Sequence, residues 1–239
     1  MDLTFLNDIK IAHRGLHDGN KNIPENTCLS VQQAINKGYP VEVDVHLTKD
    51  NKIIVMHDDN LIRMVGVDKK IRELTYAELS EYTIKNSKEK IPLLTEVLDI
   101  VNGKEFILIE IKTYNDVGPL EKEIIKILDN YAGKFAVQSF NPVSVMWFKK
   151  NRPEYIRGLL SCGFEEGGFI KRVILRRLWL LRLTNPHFVS YEITDLTKKK
   201  AEKVRNKNIK LLSWTIDSET KHQKALELCD GEIFEKLTI

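Results

Sequence analysis

The stretch Val41-Glu42-Val43-Asp44-Val45-His46 decides the fold of this chain. Valine alternates with a polar residue through all six positions, which is the two-residue period of a β-strand. The three valines therefore share one face, where they can pack against helices. The two carboxylates and the imidazole share the other face. Carboxylates that point inward are costly to bury without cations or a metal, so the stretch predicts both a packed strand and a charged site.

Short β-rich runs alternate with helical stretches along the rest of the chain. The predicted strands are residues 9–13, 40–46, 106–112, 135–140, 156–160, 188–192, 210–216 and 232–234. Helices are predicted between most of them, for example at 27–37, 119–131, 143–151, 198–206 and 219–228. Eight strands joined by helical crossovers in 239 residues favour a (β/α)₈ TIM barrel over an open doubly wound sheet. We therefore expect a single barrel domain over residues 1–239.

A less regular stretch, roughly residues 48–89, separates the second and third predicted strands. It contains an extra predicted strand at 53–57 and a short predicted helix near 76–82. We interpret this stretch as a small insertion on the active face of the barrel, with His57 at the end of its strand.

Composition and charge limit the classes of function. The chain is 42% hydrophobic and 30% charged, and its net charge of +3 is too small to indicate a nucleic-acid partner. Its three cysteines, Cys28, Cys162 and Cys229, are widely spaced and odd in number, which favours a reducing compartment over a disulfide framework. Neither a signal peptide nor a spanning run of 18 uncharged apolar residues is visible. We expect a cytoplasmic protein, with peripheral membrane contact left open.

The third predicted strand repeats the polar alternation of the second. In Ile109-Glu110-Ile111-Lys112, Glu110 and Lys112 share one face. Glu110 would complete a three-carboxylate site with Glu42 and Asp44, and oxygen ligands suit Ca²⁺ or Mg²⁺ better than Zn²⁺. Lys112 could hold an anionic group beside that metal.

Two histidines and an arginine are predicted close to these carboxylates. His13 ends the first predicted strand and His57 ends the extra strand, so both would lie at the face where barrel active sites form. Imidazoles near a metal can serve as general acid and general base near neutral pH. The planar donor fork of Arg14 suits a phosphate group.

At these residues the chain resembles the glycerophosphodiester phosphodiesterase family over essentially its whole length. The matching elements, in chain order, are His13-Arg14-Gly15, Pro24-Glu25-Asn26-Thr27, Glu42-Val43-Asp44-Val45, Thr48-Lys49-Asp50, His57-Asp58, Ile91-Pro92-Leu93-Leu94-Thr95-Glu96-Val97-Leu98, Glu110-Ile111-Lys112, Gln138-Ser139-Phe140 and Ser213-Trp214-Thr215. Each element alone is a weak signal, but the ordered set is specific. Two positions depart from the family pattern, because His46 stands where glutamine is usual and Glu235 where many relatives have aspartate.

The resemblance implies metal-dependent hydrolysis of a small glycerophosphodiester to glycerol 3-phosphate and an alcohol. It implies a divalent ion held by Glu42, Asp44 and Glu110, with His13 and His57 as the acid–base pair. Four residues are expected to bind the substrate or its phosphate: Arg14, Lys112, Gln138 and Trp214.

A basic, acid-free stretch leaves a second function open. Residues 167–183 contain five cations and the apolar side chains Leu175 and Trp179 at helical spacing. Such a helix is typical of a solvated barrel surface, but it would also suit an anionic lipid surface. The alternative function is therefore a lipid-directed phosphodiesterase, similar to lysophospholipase D, acting at a membrane. A catalytically silent barrel would leave the filled acid–base positions unexplained, and a glycosidase would leave both histidines unused.

Overall fold

Strands and helices alternate through the residues that the computed structural model describes, which are 2–113, 116–162 and 180–236. The strands are β1 (Ile9–Ala12), β2 (Val41–Leu47), β3 (Ile53–Val55), β4 (Ile107–Ile111), β5 (Phe135–Ser139), β6 (Arg157–Ser161), β7 (Phe188–Glu192), β8 (Lys210–Ile216) and β9 (Gly231–Phe234). The helices are α1 (Cys28–Asn36), α2 (Ile62–Val65), α3 (Tyr76–Ser80), α4 (Leu94–Val101), α5 (Pro119–Leu128), α6 (Pro142–Asn151), α7 (Leu181–Thr184), α8 (Lys198–Arg205) and α9 (Glu219–Leu228). Short 3₁₀ turns occupy Thr4–Leu6 and Ile71–Glu73.

The chain divides into two compact units. The first unit, Ala12–Phe135, is organised around β2. β4 runs parallel to β2 along one edge, with Asp44 directly beside Glu110. On the other edge, Ala12 pairs with Val41 at the start of β2 and β3 runs antiparallel to its end. The valines of β2 are fully buried, as the alternation predicts.

The stretch between β2 and β4 has an apolar core of its own. It consists of Ile54, Met56, Leu61, Met64, Ile71, Leu74, Leu79, Ile84 and Ile91. α3 begins where Thr75 and Glu78 form a reciprocal capping box, and it ends at Ser80, earlier than predicted. The helices α2 and α4 were not among the predicted elements. This stretch is thus a packed subregion that places the end of β3, and with it His57, beside β2.

The second unit comprises residues 1–11 and 136–239. Within it β5, β6, β7, β8 and β9 follow one another in parallel, and β1 lies beside β9. The buried side chains of β7, Phe188, Val189 and Tyr191, form part of its core. The predicted strands agree with the observed ones to within one or two residues at each end.

The predicted basic helix at 167–183 falls mostly on residues 167–179, which lie outside the described residues. The last residues of the range contribute to α7, where Leu181 is buried and Leu183 is 49% exposed. Over the described ranges, the structure contains no helix with the length and apolarity that a membrane crossing would require.

Candidate active site

Three buried carboxylates meet where β2 lies against β4. Glu42 and Asp44 share a face of β2 because they are two residues apart, and the parallel register brings Glu110 beside Asp44. Each carboxylate offers an oxygen, and these oxygens all lie within 4.8 Å of one another. The residues are 1%, 0% and 6% exposed, respectively. The strand alternation therefore assembles the acidic cluster that the sequence predicted.

Two cations and an amide surround Asp44. The Nζ of Lys112 lies 2.9 Å from Asp44 Oδ1 and 2.5 Å from Glu110 Oε1. Arg14 Nε lies 3.4 Å from Asp44 Oδ2, and Asn26 Nδ2 donates a 2.8 Å hydrogen bond to the same oxygen. Burial acts to raise the pKa of Asp44, but the Lys112 and Arg14 charges outweigh burial and hold that pKa well below its ordinary value. Asp44 is therefore ionised and ready to bind a cation.

Glu42 has fewer partners than Asp44. Its Oε2 accepts a 3.1 Å hydrogen bond from the Arg14 backbone N–H and lies 4.0 Å from His13 Nε2. Its Oε1 is buried and has no hydrogen-bond partner in the described part of the chain. Burial and the neighbouring charges of Asp44 and Glu110 raise the pKa of Glu42 well above its ordinary value. A buried oxygen without a partner, inside a cluster of oxygen donors, fits a hard divalent ion.

The His13-Arg14-Gly15 turn follows β1 and places Arg14 against both carboxylates of β2. Arg14 and Gly15 have left-handed backbone angles, with φ of 55° and 77°. A Cβ on Gly15 would lie 2.6 Å from Ser30 Oγ and 2.7 Å from the Ser30 backbone carbon. Only glycine fits here, because the turn packs directly on the first turn of α1.

We expect Gly15→Ala to lower the free energy of unfolding by about 2–4 kcal/mol, since it adds a steric clash to an unfavourable φ. Gly66→Ala is the matched control, because Gly66 has a φ of +84° but a Cβ added there would meet nothing within 4 Å. Urea unfolding measures both. Equal losses in the two variants would contradict the close packing described for Gly15.

His57 follows β3 and is held close to Asp44 by the backbone. The Met56 N–H donates a 2.9 Å hydrogen bond to the Asp44 carbonyl oxygen. The His57 ring Nδ1 lies 2.8 Å from Asp58 Oδ1, and its side chain is about one-third exposed. His46, on the same face of β2 as Asp44, is buried, and its Nε2 donates to the His57 carbonyl oxygen at 3.1 Å. Burial lowers the pKa of His46 to about 4.

Gln138 and Trp214, the two other predicted substrate ligands, belong to the second unit and meet at Ser190. Gln138 Oε1 accepts a 2.7 Å hydrogen bond from Ser190 Oγ, and Trp214 Nε1 donates a 3.1 Å bond to the Ser190 carbonyl oxygen. The Phe140 ring packs edge-on against Trp214 with centroids 5.6 Å apart. The structure thus brings Gln138 and Trp214 together in the second unit. The seven other predicted site residues lie together in the first unit.

Sequence reasoning assigned no role to Glu25, Asn26 and Asp58, which contact predicted site residues, or to Arg63, which contacts Asp58 and Glu25. Glu25 and Asn26 lie within the motif Pro24-Glu25-Asn26-Thr27, and Asp58 adjoins His57, so a signal was present for three of them. Arg63 carried no such sequence signal, because it lies in α2, within the irregular stretch between β2 and β4.

Comparison with known proteins identifies the family of this chain. The model of the "Glycerophosphoryl diester phosphodiesterase family" matches residues 13–233. The chain belongs to that family. The resemblance inferred from the sequence motifs is therefore confirmed, and so is the predicted enzyme class, a phosphodiesterase.

One relative of this family member is a glycerophosphodiester phosphodiesterase of Caldanaerobacter subterraneus subsp. tengcongensis. It is 30% identical over 87% of this chain and 85% of its own length. Among solved structures, a putative glycerophosphoryl diester phosphodiesterase from Silicibacter pomeroyi has a TM-score of 0.84 at 18% identity, covering 96% of this chain and 92% of its own. An Oleispira antarctica phosphodiesterase, solved with the product sn-glycerol-3-phosphate, has a TM-score of 0.80 at 23% identity, covering 96% and 94%.

The structural likenesses establish the fold class. It is a closed barrel of eight parallel strands with alternating helices, and β3 is bonded in addition to β2. The predicted (β/α)₈ TIM barrel is therefore confirmed.

Proposed function

We propose that this phosphodiesterase hydrolyses glycerophosphodiesters to glycerol 3-phosphate and an alcohol, using Ca²⁺ or Mg²⁺ held by Glu42, Asp44 and Glu110. The observation that carries the proposal is the cluster of three buried carboxylates, whose oxygens lie within 4.8 Å of one another. Hard divalent ions prefer such oxygen ligands. The name of the Caldanaerobacter relative and the product bound to the Oleispira enzyme support this class of substrate.

The cations and histidines around the cluster receive distinct roles in the proposal. When bound, the ion neutralises charge on the phosphoryl oxygens. Arg14 and Lys112, both next to Asp44, orient the same phosphate and balance its charge. His13 and His57 act as the acid–base pair, one removing a proton from the glycerol hydroxyl that attacks phosphorus and the other protonating the leaving alcohol oxygen. Water then opens the resulting cyclic phosphate to glycerol 3-phosphate.

Gln138 and Trp214 are proposed as substrate ligands of the second unit. Their shared contact with Ser190 of β7 links the Gln138 amide on β5 to the Trp214 indole on β8. The partly exposed indole of Trp214 offers an apolar surface, which suits a glycerol or alcohol group.

We also propose a cytoplasmic location, with peripheral membrane contact through residues 167–183 as a second possibility. The three cysteines are odd in number and widely spaced in the sequence, which is typical of a reducing compartment. The acid-free stretch with five cations between residues 167 and 191 would suit contact with anionic lipid.

A product assay tests the proposed substrate class. The protein is incubated with Mg²⁺ or Ca²⁺ and, separately, glycerophosphocholine, glycerophosphoglycerol or lysophosphatidylcholine. We expect glycerol 3-phosphate from at least one of the water-soluble diesters. Lysophosphatidic acid from lysophosphatidylcholine alone, together with pelleting on anionic vesicles at low salt, would instead establish the lipid-directed alternative.

A further inference from the structure

The His57 imidazole has a definite orientation in the structure. Its Nδ1 faces Asp58 Oδ1 at 2.8 Å. An ionised carboxylate only accepts hydrogen bonds, so Nδ1 carries the proton and, in a neutral ring, Nε2 is the basic atom. Burial acts to raise the pKa of Asp58, but its hydrogen bonds with His57 and Arg63 outweigh burial and lower that pKa to about 2. Asp58 therefore remains an acceptor over the neutral range.

The second oxygen of Asp58 is held by Arg63. Arg63 Nε donates a 2.6 Å hydrogen bond to Asp58 Oδ2. The other end of the same guanidinium donates to Glu25, from Nη2 to Oε1 at 2.7 Å and from Nη1 to Oε2 at 3.1 Å. Each nitrogen of Arg63 thus faces a carboxylate, in the two-pronged geometry that a guanidinium forms and an ammonium does not.

Glu25 connects this contact to the phosphate-binding side of the site. It is 5% exposed, and its Oε1 also accepts a 2.7 Å hydrogen bond from Arg14 Nη1. Burial acts to raise the pKa of Glu25, but its bonds with Arg63 and Arg14 outweigh burial and lower that pKa far below its ordinary value. A continuous series of ionic hydrogen bonds therefore runs from Arg14 to His57 through Glu25, Arg63 and Asp58.

We propose that Asp58 and Arg63 are positioning residues for His57: Asp58 selects the ring form with a bare Nε2, and Arg63 holds Asp58 in place by anchoring it to Glu25. The inference rests on the proposed function, in which His57 is an acid–base residue. Arg63 does not bind substrate in this account. Its link to Glu25 makes the orientation of His57 and that of Arg14 depend on one buried carboxylate.

The alternative is a purely mechanical, fold-stabilising role for the same contacts. Arg63 lies in α2, and its bonds to Glu25 attach that helix to the loop that carries Glu25. A purely mechanical role would change stability without changing which nitrogen of His57 is protonated. The protonation pattern of the ring therefore separates the two roles.

The test is nitrogen NMR of the imidazole rings in the Mg²⁺-loaded protein, at a pH that keeps the rings neutral. The His57 signals are assigned by their loss in His57→Gln. We expect an Nδ1–H ring in the unmodified chain. Asp58→Asn should shift it toward Nε2–H, because the new amide can donate to Nδ1, and should lower kcat roughly 10²-fold with little change in KM. Asp59→Asn, at the exposed neighbouring position, is the matched control and should change neither.

Substitution of Arg63 tests the anchor. Arg63→Met should produce a mixture of ring forms and lower kcat roughly tenfold. Arg63→Lys should fail to restore either property, because one ammonium cannot bond both carboxylates in the fork geometry. Arg205→Met, at an exposed helical arginine of the second unit, is the control for loss of a surface charge.

An unchanged Nδ1–H ring in folded Asp58→Asn, or full restoration by Arg63→Lys, would overturn the proposal. The ring measurement does not depend on turnover. A shifted His57 ring in Asp58→Asn, together with no glycerophosphodiester hydrolysis by the unmodified chain, would support the positioning role and refute the proposed function. An unshifted ring in that variant, together with an active unmodified chain, would refute the positioning role and support the proposed function.

Discussion

Removal of divalent ions with EDTA is expected to abolish the hydrolysis of glycerophosphocholine, and added Ca²⁺ or Mg²⁺ is expected to restore it. The reason is the charge carried by the phosphodiester, which must approach three buried carboxylates. Without an ion, the positive charge that would neutralise the phosphoryl oxygens is lost. The measurement is the rate of glycerol 3-phosphate release in dialysed protein whose metal content is determined by mass spectrometry.

Variants of the three ligands should reproduce the effect of chelation. Glu42→Gln, Asp44→Asn and Glu110→Gln should each lower turnover at fixed ion concentration by roughly 10²-fold or more, since a bound ion supplies several kcal/mol of charge stabilisation. Asp99→Asn, at an exposed position of α4, is the matched control. EDTA already saturated with Ca²⁺ controls for the chelator itself. Undiminished turnover of metal-free protein would remove the ion from the mechanism.

Alanine at His13 or at His57 should each lower kcat roughly 10²–10⁴-fold, the usual contribution of general acid–base catalysis. Both side chains adjoin the acidic cluster, His13 through Glu42 and His57 through the strand end beside Asp44. In the proposed mechanism Arg14 and Lys112 bind the phosphate, so KM should change much less. Steady-state kinetics at saturating metal measures both quantities.

The control for these histidine variants is His187→Asn, in the second unit. His187 Nδ1 accepts a hydrogen bond from the Arg157 backbone N–H, and the asparagine amide oxygen can replace that acceptor. We expect its kcat to remain close to that of the unmodified chain. If His57→Ala retained full kcat, His57 would have no acid–base role, and the same reasoning applies to His13.

The acidic cluster could be predicted because its geometry follows from strand periodicity. Alternation places Glu42, Asp44 and His46 on one face of β2, and it places Glu110 and Lys112 together on the next strand. Parallel pairing then aligns Asp44 with Glu110 without any further information. The same regularity accounts for the agreement between predicted and observed strands.

The contacts of Arg63, His46 and Lys112 could not be predicted, because they depend on how irregular backbone and neighbouring strands pack. Arg63 reaches Glu25 across 38 positions of sequence, and its place depends on how the stretch around α2 packs on its own core. His46 was expected to face the site, but its bond to the His57 carbonyl depends on where β3 ends. Lys112 was predicted to hold an anion, and the structure places its ammonium between Asp44 and Glu110.

That position of Lys112 bears on whether the chain needs a metal in order to fold. Its ammonium lies against Asp44 of β2 and Glu110 of β4, so the chain itself supplies a positive charge that balances these buried carboxylates. Folding therefore need not wait for a metal, unlike the folding of domains in which the ion holds the structure together.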